Sequence, residues 1–224
     1  MSPIDEDAVD PMPLFSSLWE EKPIKHYSQV IAVTIHHFYI TGEITEDVDR
    51  YVDMLNMIKT AEPHDKIYIY LNTPGGDLNT TIQIVSSITK SAAEVTTVIE
   101  GEVCSAGTFI FLSGDNHIVN DNCSFMIHNY SHGMFGKGAE VAKRVKFSEK
   151  YFSDLAHSFY KNFLTEDEIS QVCEDKDFWM GSKELVRRLK KISPDKVVEF
   201  GYEVEEIEEE EVVKKPRKPR KKTS

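Results

Sequence analysis

Cysteine is scarce in this chain. The 224 residues include three, Cys104, Cys123 and Cys173, and no two stand in CxxC spacing. They suggest neither a disulfide framework nor a zinc site, which fits a reducing, cytoplasmic setting. Long apolar runs are missing too: none reaches the roughly 18 residues of a membrane span, so no membrane contact is expected. The acidic start, MSPIDEDAVDP, lacks the apolar core of a signal peptide, and secretion is not expected. Positive charge is in deficit, 26 Lys and Arg against 38 Asp and Glu, which gives a net charge of -12 with neutral His. That balance disfavours non-specific nucleic-acid binding by the body of the protein. No GxxxxGK followed by Ser or Thr occurs, so there is no phosphate loop. What the chain does have is a 40% hydrophobic content, and a chain of this length can bury roughly 70% of its unfolded surface. One domain with appendages is expected.

The appendages are read from charge. Residues 203–211 hold seven glutamates and residues 214–222 hold seven lysines and arginines with Pro216 and Pro219, so the two blocks cancel. Such blocks are usually disordered, and residues 205–224 are expected to form a charged, solvated tail that folds back on its acidic block, its basic end alternatively contacting nucleic acid or an acidic partner. Residues 1–30 are expected to be an acidic arm, with Leu14, Phe15, Leu18 and Trp19 as an apolar cluster that docks on this chain or a neighbour. Between them, residues 31–204 alternate strand and helix patterns. IAVTIHHFYI (31–40) and VTTVI (95–99) read as strands, IYIYL (67–71) as a buried strand, and SFMIH (124–128) as another strand. Helices are expected from Thr45, through Ile82, Val85 and Ile88, and over 106–113. A long amphipathic helix is expected over 139–164, with Val141, Val145, Phe152, Leu155, Phe159 and Phe163 on one stripe. Thr165 and Glu168 form a capping box for the helix after it. This alternation implies an α/β fold with parallel strands.

Four stretches carry polar chemistry. NTPGGD (72–77) joins a strand to a helix, and its paired glycines allow positive φ and close backbone approach, so free amides there suit an oxyanion. An ordinary turn would look the same. In GEVCSAGTF (101–109), Ser105 sits between a strand and an apolar helix among small neighbours, where a hydroxyl can stand at a sharp turn. The GxSxG elbow is not matched, because Val103 takes the place of its first glycine. Ser105 could instead be a plain N-cap, and Cys104 is a rival nucleophile, although its apolar surroundings suit a packed thiol. His128 closes the strand SFMIH, where it is either a satisfied polar side chain or a base. In EDKDFWM (174–180), Asp177 precedes an aromatic pair, with Asp175 and Glu174 as local competitors in what could equally be a solvated loop. In order, the set is a Gly-Gly amide site, Ser, His and Asp, the groups needed for acyl transfer.

This order resembles the ClpP family of self-compartmentalising serine peptidases, through FYITGEIT (38–45), IYIYLNTPGGD (67–77), GEVCSAGTF (101–109), MIH (126–128) and the DFWM segment (177–180). The resemblance covers about residues 36–182. It implies the ClpP/crotonase-like fold of repeated ββα units with a long protruding handle helix, here 139–164. It implies Ser105 as nucleophile, His128 as base and Asp177 as its orienting acid, with the Gly76 and Ala106 amides as oxyanion donors. It implies protein or peptide substrates, heptameric rings stacked in pairs, an AAA+ unfoldase as feeder, and no cofactor or metal. Departures are Ala106 where the family usually has Met, and Asn129-Tyr130 in place of Gln-Pro. The arm does not match the usual axial loop. PDKVVEFGYEV (194–204) comes late, as if residues 183–193 were inserted. These are the departures of a divergent member, and a phage origin would account for them. Three other functions stand beside this one: a proteolytically silent scaffold subunit, a viral head-maturation peptidase, and an interaction protein working through the basic tail. An acyl-CoA hydratase of the same broad fold is disfavoured, because it needs no Ser-His-Asp set.

Overall fold

The structure, a computed structural model, describes residues 32–199. The arm at 1–30, the tail at 205–224 and the expected end of the domain at 200–204 lie outside the described residues.

Strand β1 (Ile35–Thr41) begins four residues later than expected, and β2 (Lys66–Thr73) alternates sharply. Ile67, Ile69, Leu71 and Thr73 are buried while Tyr68 and Tyr70 are half-buried, so β2 has one core face rather than two. Its other face stacks Tyr70 on Tyr39 and His37 of β1. Between the two strands runs a 3-10 turn (Val48–Tyr51) and α1 (Val52–Thr60), where one continuous helix from Thr45 was expected. Helix α2 (Leu78–Ile88) starts at Asp77, whose side chain accepts the Thr80 N–H at 2.7 Å. It returns the chain to β3 (Glu94–Cys104), the longest strand, buried continuously from Val95 to Ile99 as a central parallel strand should be. Then follow α3 (Ala106–Leu112), β4 (Asn116–Val119) and β5 (Ser124–Ile127).

Helix α4 (Gly138–Tyr160) is about 35 Å long. Its buried residues are Phe152, Ala156 and Tyr160, one face at i, i+4 and i+8, and nothing before Phe152 is buried. Of the expected stripe, Phe152 and Phe163 are buried and Val141, Val145, Leu155 and Phe159 are half-buried. The helix stops at Tyr160, short of the expected 164, because the Phe163 and Leu164 N–H groups both turn back to the Tyr160 carbonyl. The expected capping box on α5 (Glu166–Cys173) is present in both directions. After β6 (Phe178–Gly181), the stretch expected as an insertion forms α6 (Ser182–Ile192), with Leu185, Val186 and Leu189 buried. Arg188 of α6 pairs with Glu168 of α5 and Glu184 of its own helix, both at 2.7 Å. A 3-10 turn then leads to β7 (Val197–Glu199).

The sheet order is β1-β2-β3-β4-β7, all parallel, with α-helical crossovers. The α/β expectation therefore holds. Strand β3 serves two neighbours in turn. Residues 96–99 pair with β4 and residues 102–104 pair with β5, and a register shift against β2 separates the two stretches. Asn72 of β2 braces this break, its Oδ1 accepting the Glu102 N–H at 3.1 Å. The break carries the end of β3 beyond the reach of β4 and delivers Ser105 beside β5.

Candidate active site

Ser105 follows the last residue of β3 and precedes α3. Its backbone lies at φ 53 and ψ -127, a region that costs a side-chain-bearing residue about 1–3 kcal/mol. Three hydrogen bonds hold it there. Its N–H donates to the Met126 carbonyl at 2.9 Å, and its carbonyl accepts from the Thr108 N–H at 3.0 Å and the Thr108 hydroxyl at 2.6 Å. Its own hydroxyl caps nothing. Ser105 thus occupies an N-cap position without acting as a plain N-cap. The neighbouring Cys104 is buried, and that burial, followed by the Glu102 charge, pushes its thiol up to about 11. It is a packed thiol with little thiolate at neutral pH.

The Gly-Gly turn lies against this strained residue. At Gly75, with φ +98, a Cβ would come within 2.6 Å of the Ser105 Cβ and 2.7 Å of the Cys104 carbonyl oxygen. At Gly76, with φ +143, a Cβ would fall 2.1 Å from the Ile44 oxygen. The turn is pinned by Ile44, whose N–H donates to Gly75 at 2.8 Å and whose carbonyl accepts from Asp77 at 2.7 Å. The Thr73 hydroxyl accepts the Gly75 N–H at 3.1 Å. The Gly76 and Ala106 N–H groups donate to no acceptor among the described residues. This is more than a generic strand-to-helix turn, because no side chain fits at either glycine.

Strand register brings His128 and Asp177 to the same end of one ladder. The β5–β6 ladder is antiparallel and pairs Ser124 with Gly181, Phe125 with Met180, Met126 with Trp179 and Ile127 with Phe178. The ladder ends there, and His128 follows Ile127 while Asp177 precedes Phe178, so the two flank its last pair. The β3–β5 ladder ends at Cys104 with Met126, one step short of Ser105. All three residues therefore gather where β3 and β5 end and β6 begins, the carboxyl edge at which open parallel sheets place their sites. Among the described residues no hydrogen bond joins the three side chains. His128 is half-buried and Asp177 exposed. Of the competing acids, Asp175 is engaged elsewhere, accepting from the Asn129 side chain at 2.7 Å. Glu174 serves as the C-cap of α5.

Three contributors escaped the sequence reading: Asn72, Thr108 and Gly75. Gly75 was legible as half of a pair, but nothing in the residue order marks it as the one facing Ser105. The binding of Thr108 back to the Ser105 carbonyl has no sequence signature. A cleft of about 380 Å³ lined by Glu94, Asp115, Asn116 and Lys196 lies at the opposite, amino ends of β3 and β4 and touches none of these groups. A family model described as Clp protease matches residues 20–188, three quarters of the chain.

Proposed function

Because the chain belongs to the Clp protease family, we propose that it is a serine endopeptidase that cleaves peptide bonds by acyl transfer. The observation that carries this reading is Ser105 itself. A strained backbone is held by bonds to Met126 and Thr108 while the hydroxyl serves no structural purpose. In the reaction, Ser105 Oγ attacks the substrate carbonyl and its proton passes to His128. The Gly76 and Ala106 amides bind the resulting oxyanion. His128 then returns the proton to the leaving amine, and water completes the cycle by the same path. Asp177 orients His128 and balances its charge. The residues need no metal or organic cofactor for these steps.

The wider assembly belongs to the same proposal. No residue of α4 before Phe152 is buried, and this stretch exposes Phe147 and Tyr151 as a stacked pair at 5.7 Å. These features suit a handle that packs one heptameric ring on another, enclosing a chamber into which an AAA+ unfoldase feeds polypeptide. The charged tail, through its basic end, is a candidate contact for an acidic partner. The lack of hydrogen bonds among Ser105, His128 and Asp177 favours one second reading, a proteolytically silent scaffold subunit. A fluorophosphonate probe read by intact mass separates the two. Labelling of the assembled wild type and none of Ser105→Ala supports the peptidase. An assembled, folded wild type that stays unlabelled, with and without an unfoldase, supports the scaffold.

A further inference from the structure

A buried polar link joins the last residue of α4 to the peptide that follows Ser105. Tyr160 is fully buried at 1% exposure, and its ring stacks on Phe109 at 5.1 Å. Its hydroxyl lies 2.7 Å from Thr108 Oγ1, and Thr108 Oγ1 lies 2.6 Å from the Ser105 carbonyl oxygen. The direction of both bonds follows from the hydrogen count. A carbonyl can only accept, so the one Thr108 hydroxyl hydrogen goes to Ser105. The Tyr160 O–H must then donate to Thr108 Oγ1. Each bond polarises the next in the same sense. Phenylalanine would fill the Tyr160 site equally well as an apolar ring, whereas a phenol placed there has to find a partner. Among the described residues that partner is Thr108 alone, which sits at the third position of the helix that Ser105 precedes.

The Ser105 carbonyl and the Ala106 N–H belong to one planar peptide and point in opposite directions across it. Whatever fixes the carbonyl oxygen therefore fixes the aim of the amide. We propose that Tyr160 and Thr108 are positioning residues that lock this peptide. They hold Ser105 in its strained conformation and the Ala106 amide in the direction an oxyanion donor requires. The inference rests on the acyl-transfer reading of Ser105. It explains how a positive-φ serine is maintained with no glycine at that position. The nucleophile's own N–H is tied to β5 through Met126, so the residue is gripped from both sides, by the sheet on one and by α4 through Thr108 on the other.

The test uses the full-length, assembled protein and four variants: Tyr160→Phe, Thr108→Val, Thr108→Ser and the double variant Tyr160→Phe/Thr108→Val. Three quantities are read: the rate of fluorophosphonate acylation, kcat and KM on a fluorogenic peptide, and amide exchange over residues 104–112 by mass spectrometry. Tyr160→Phe is expected to slow acylation and lower kcat about fivefold with KM unchanged, and Thr108→Val about thirtyfold. Thr108→Ser, which keeps the hydroxyl, should stay within about twofold of wild type. The double variant should be no slower than Thr108→Val alone, since the two groups act as one relay. Wild-type acylation by folded Tyr160→Phe and Thr108→Val would overturn the proposal, as would losses that multiply in the double variant. If Thr108→Val does not fold, Tyr160→Phe decides alone. If Ser105→Ala keeps full hydrolysis and labelling, the acyl-transfer reading fails on its own account. The relay is then judged by exchange: faster exchange in Tyr160→Phe upholds it and unchanged exchange overturns it.

Discussion

Two strand-to-helix turns lie side by side in this protein and use their polar residues in opposite ways. At the end of β2, Asp77 takes extended backbone angles and its carboxylate caps α2 through the Thr80 N–H. At the end of β3, Ser105 holds the equivalent position before α3, yet its backbone is strained and its side chain caps nothing. In the first turn the polar side chains of Thr73 and Asp77 are spent on backbone N–H groups, while the Gly76 N–H donates to no acceptor among the described residues. In the second, the Ser105 carbonyl accepts from both the N–H and the hydroxyl of Thr108, and the serine hydroxyl makes no capping bond. A turn that stores strain and leaves a hydroxyl uncommitted suits a nucleophile, and a turn whose polar side chains are spent on its own backbone suits a scaffold. The two are adjacent because Gly75, in the quiet turn, makes room for Ser105 in the strained one.

The largest expected effect comes from deleting the free hydroxyl. Ser105→Ala should lower peptide hydrolysis about ten-thousandfold, with unfolding free energy unchanged within about 0.5 kcal/mol. Peptide assays and urea melts on the same preparation check both halves. A melt shifted by more than about 1 kcal/mol would mean that the hydroxyl is structural after all, and the contrast between the turns would collapse.

Next in size is the point where the turns touch. Gly75→Ala puts a methyl 2.6 Å from the Ser105 Cβ in backbone at φ +98. A loss of about 3 kcal/mol in stability is expected, together with slower acylation, because Ser105 has to move. Unchanged melting and acylation would show that the two turns are independent.

Away from the site, His117 of β4 is a polar residue used wholly for structure, and it sharpens the contrast through pH. It is buried, with Nδ1 3.0 Å from the Thr97 hydroxyl. Burial, helped by the charge of Lys196, lowers its pKa to about 4, against a smaller opposing pull from Asp115. The folded protein therefore keeps His117 neutral while the unfolded chain protonates it from about pH 6.5 downward. The associated stability is complete above pH 6.5 and is lost as pH falls towards 4, by about 3 kcal/mol in all. Urea melts at pH 7.0 and 4.5 should show the drop, and His117→Gln should flatten it. An equal drop in His117→Gln would assign the acid sensitivity to other groups.

How much of this was legible in the sequence depended on whether the signal was local. Core strands β2 and β3, helix α2 and the capping box at Thr165 follow from periodicity and caps, which act over a few residues. Strands β4 and β6, four residues each, are too short to carry a period. Helix α6 falls on the stretch 183–193, marked only by the late position of PDKVVEFGYEV, and its buried face of Leu185, Val186 and Leu189 is interspersed with Lys and Arg. The long helix follows from its apolar spacing, but that its burial is confined to Phe152, Ala156 and Tyr160 depends on tertiary packing, which spacing does not encode. At the site, residue types and order were visible through the family resemblance. The positive φ of Ser105 was not, because no residue identity encodes it. Nor was the Tyr160–Thr108 bond, which spans 52 residues. The placing of His128 and Asp177 at one end of the β5–β6 ladder comes from strand register, which no single segment contains.

The smallest expected effect belongs to the quiet turn and completes the comparison. Asp77→Ala removes the side-chain cap of α2 but keeps the Asp77 N–H bond to the Ile44 carbonyl, because that bond is backbone. A loss of about 1 kcal/mol is expected, and Asp77→Asn, which still offers an oxygen to Thr80, should recover most of it. Acylation of Ser105 should stay within about twofold in both variants, since neither disturbs the Gly75 contact or the Thr108 bonds. Asp77→Ala would then lower stability and spare chemistry, while Ser105→Ala would abolish chemistry and spare stability. Should Asp77→Ala also slow acylation tenfold, the cap would be acting on the Gly-Gly turn through Gly76, and the two turns would have to be treated as a single cooperative unit.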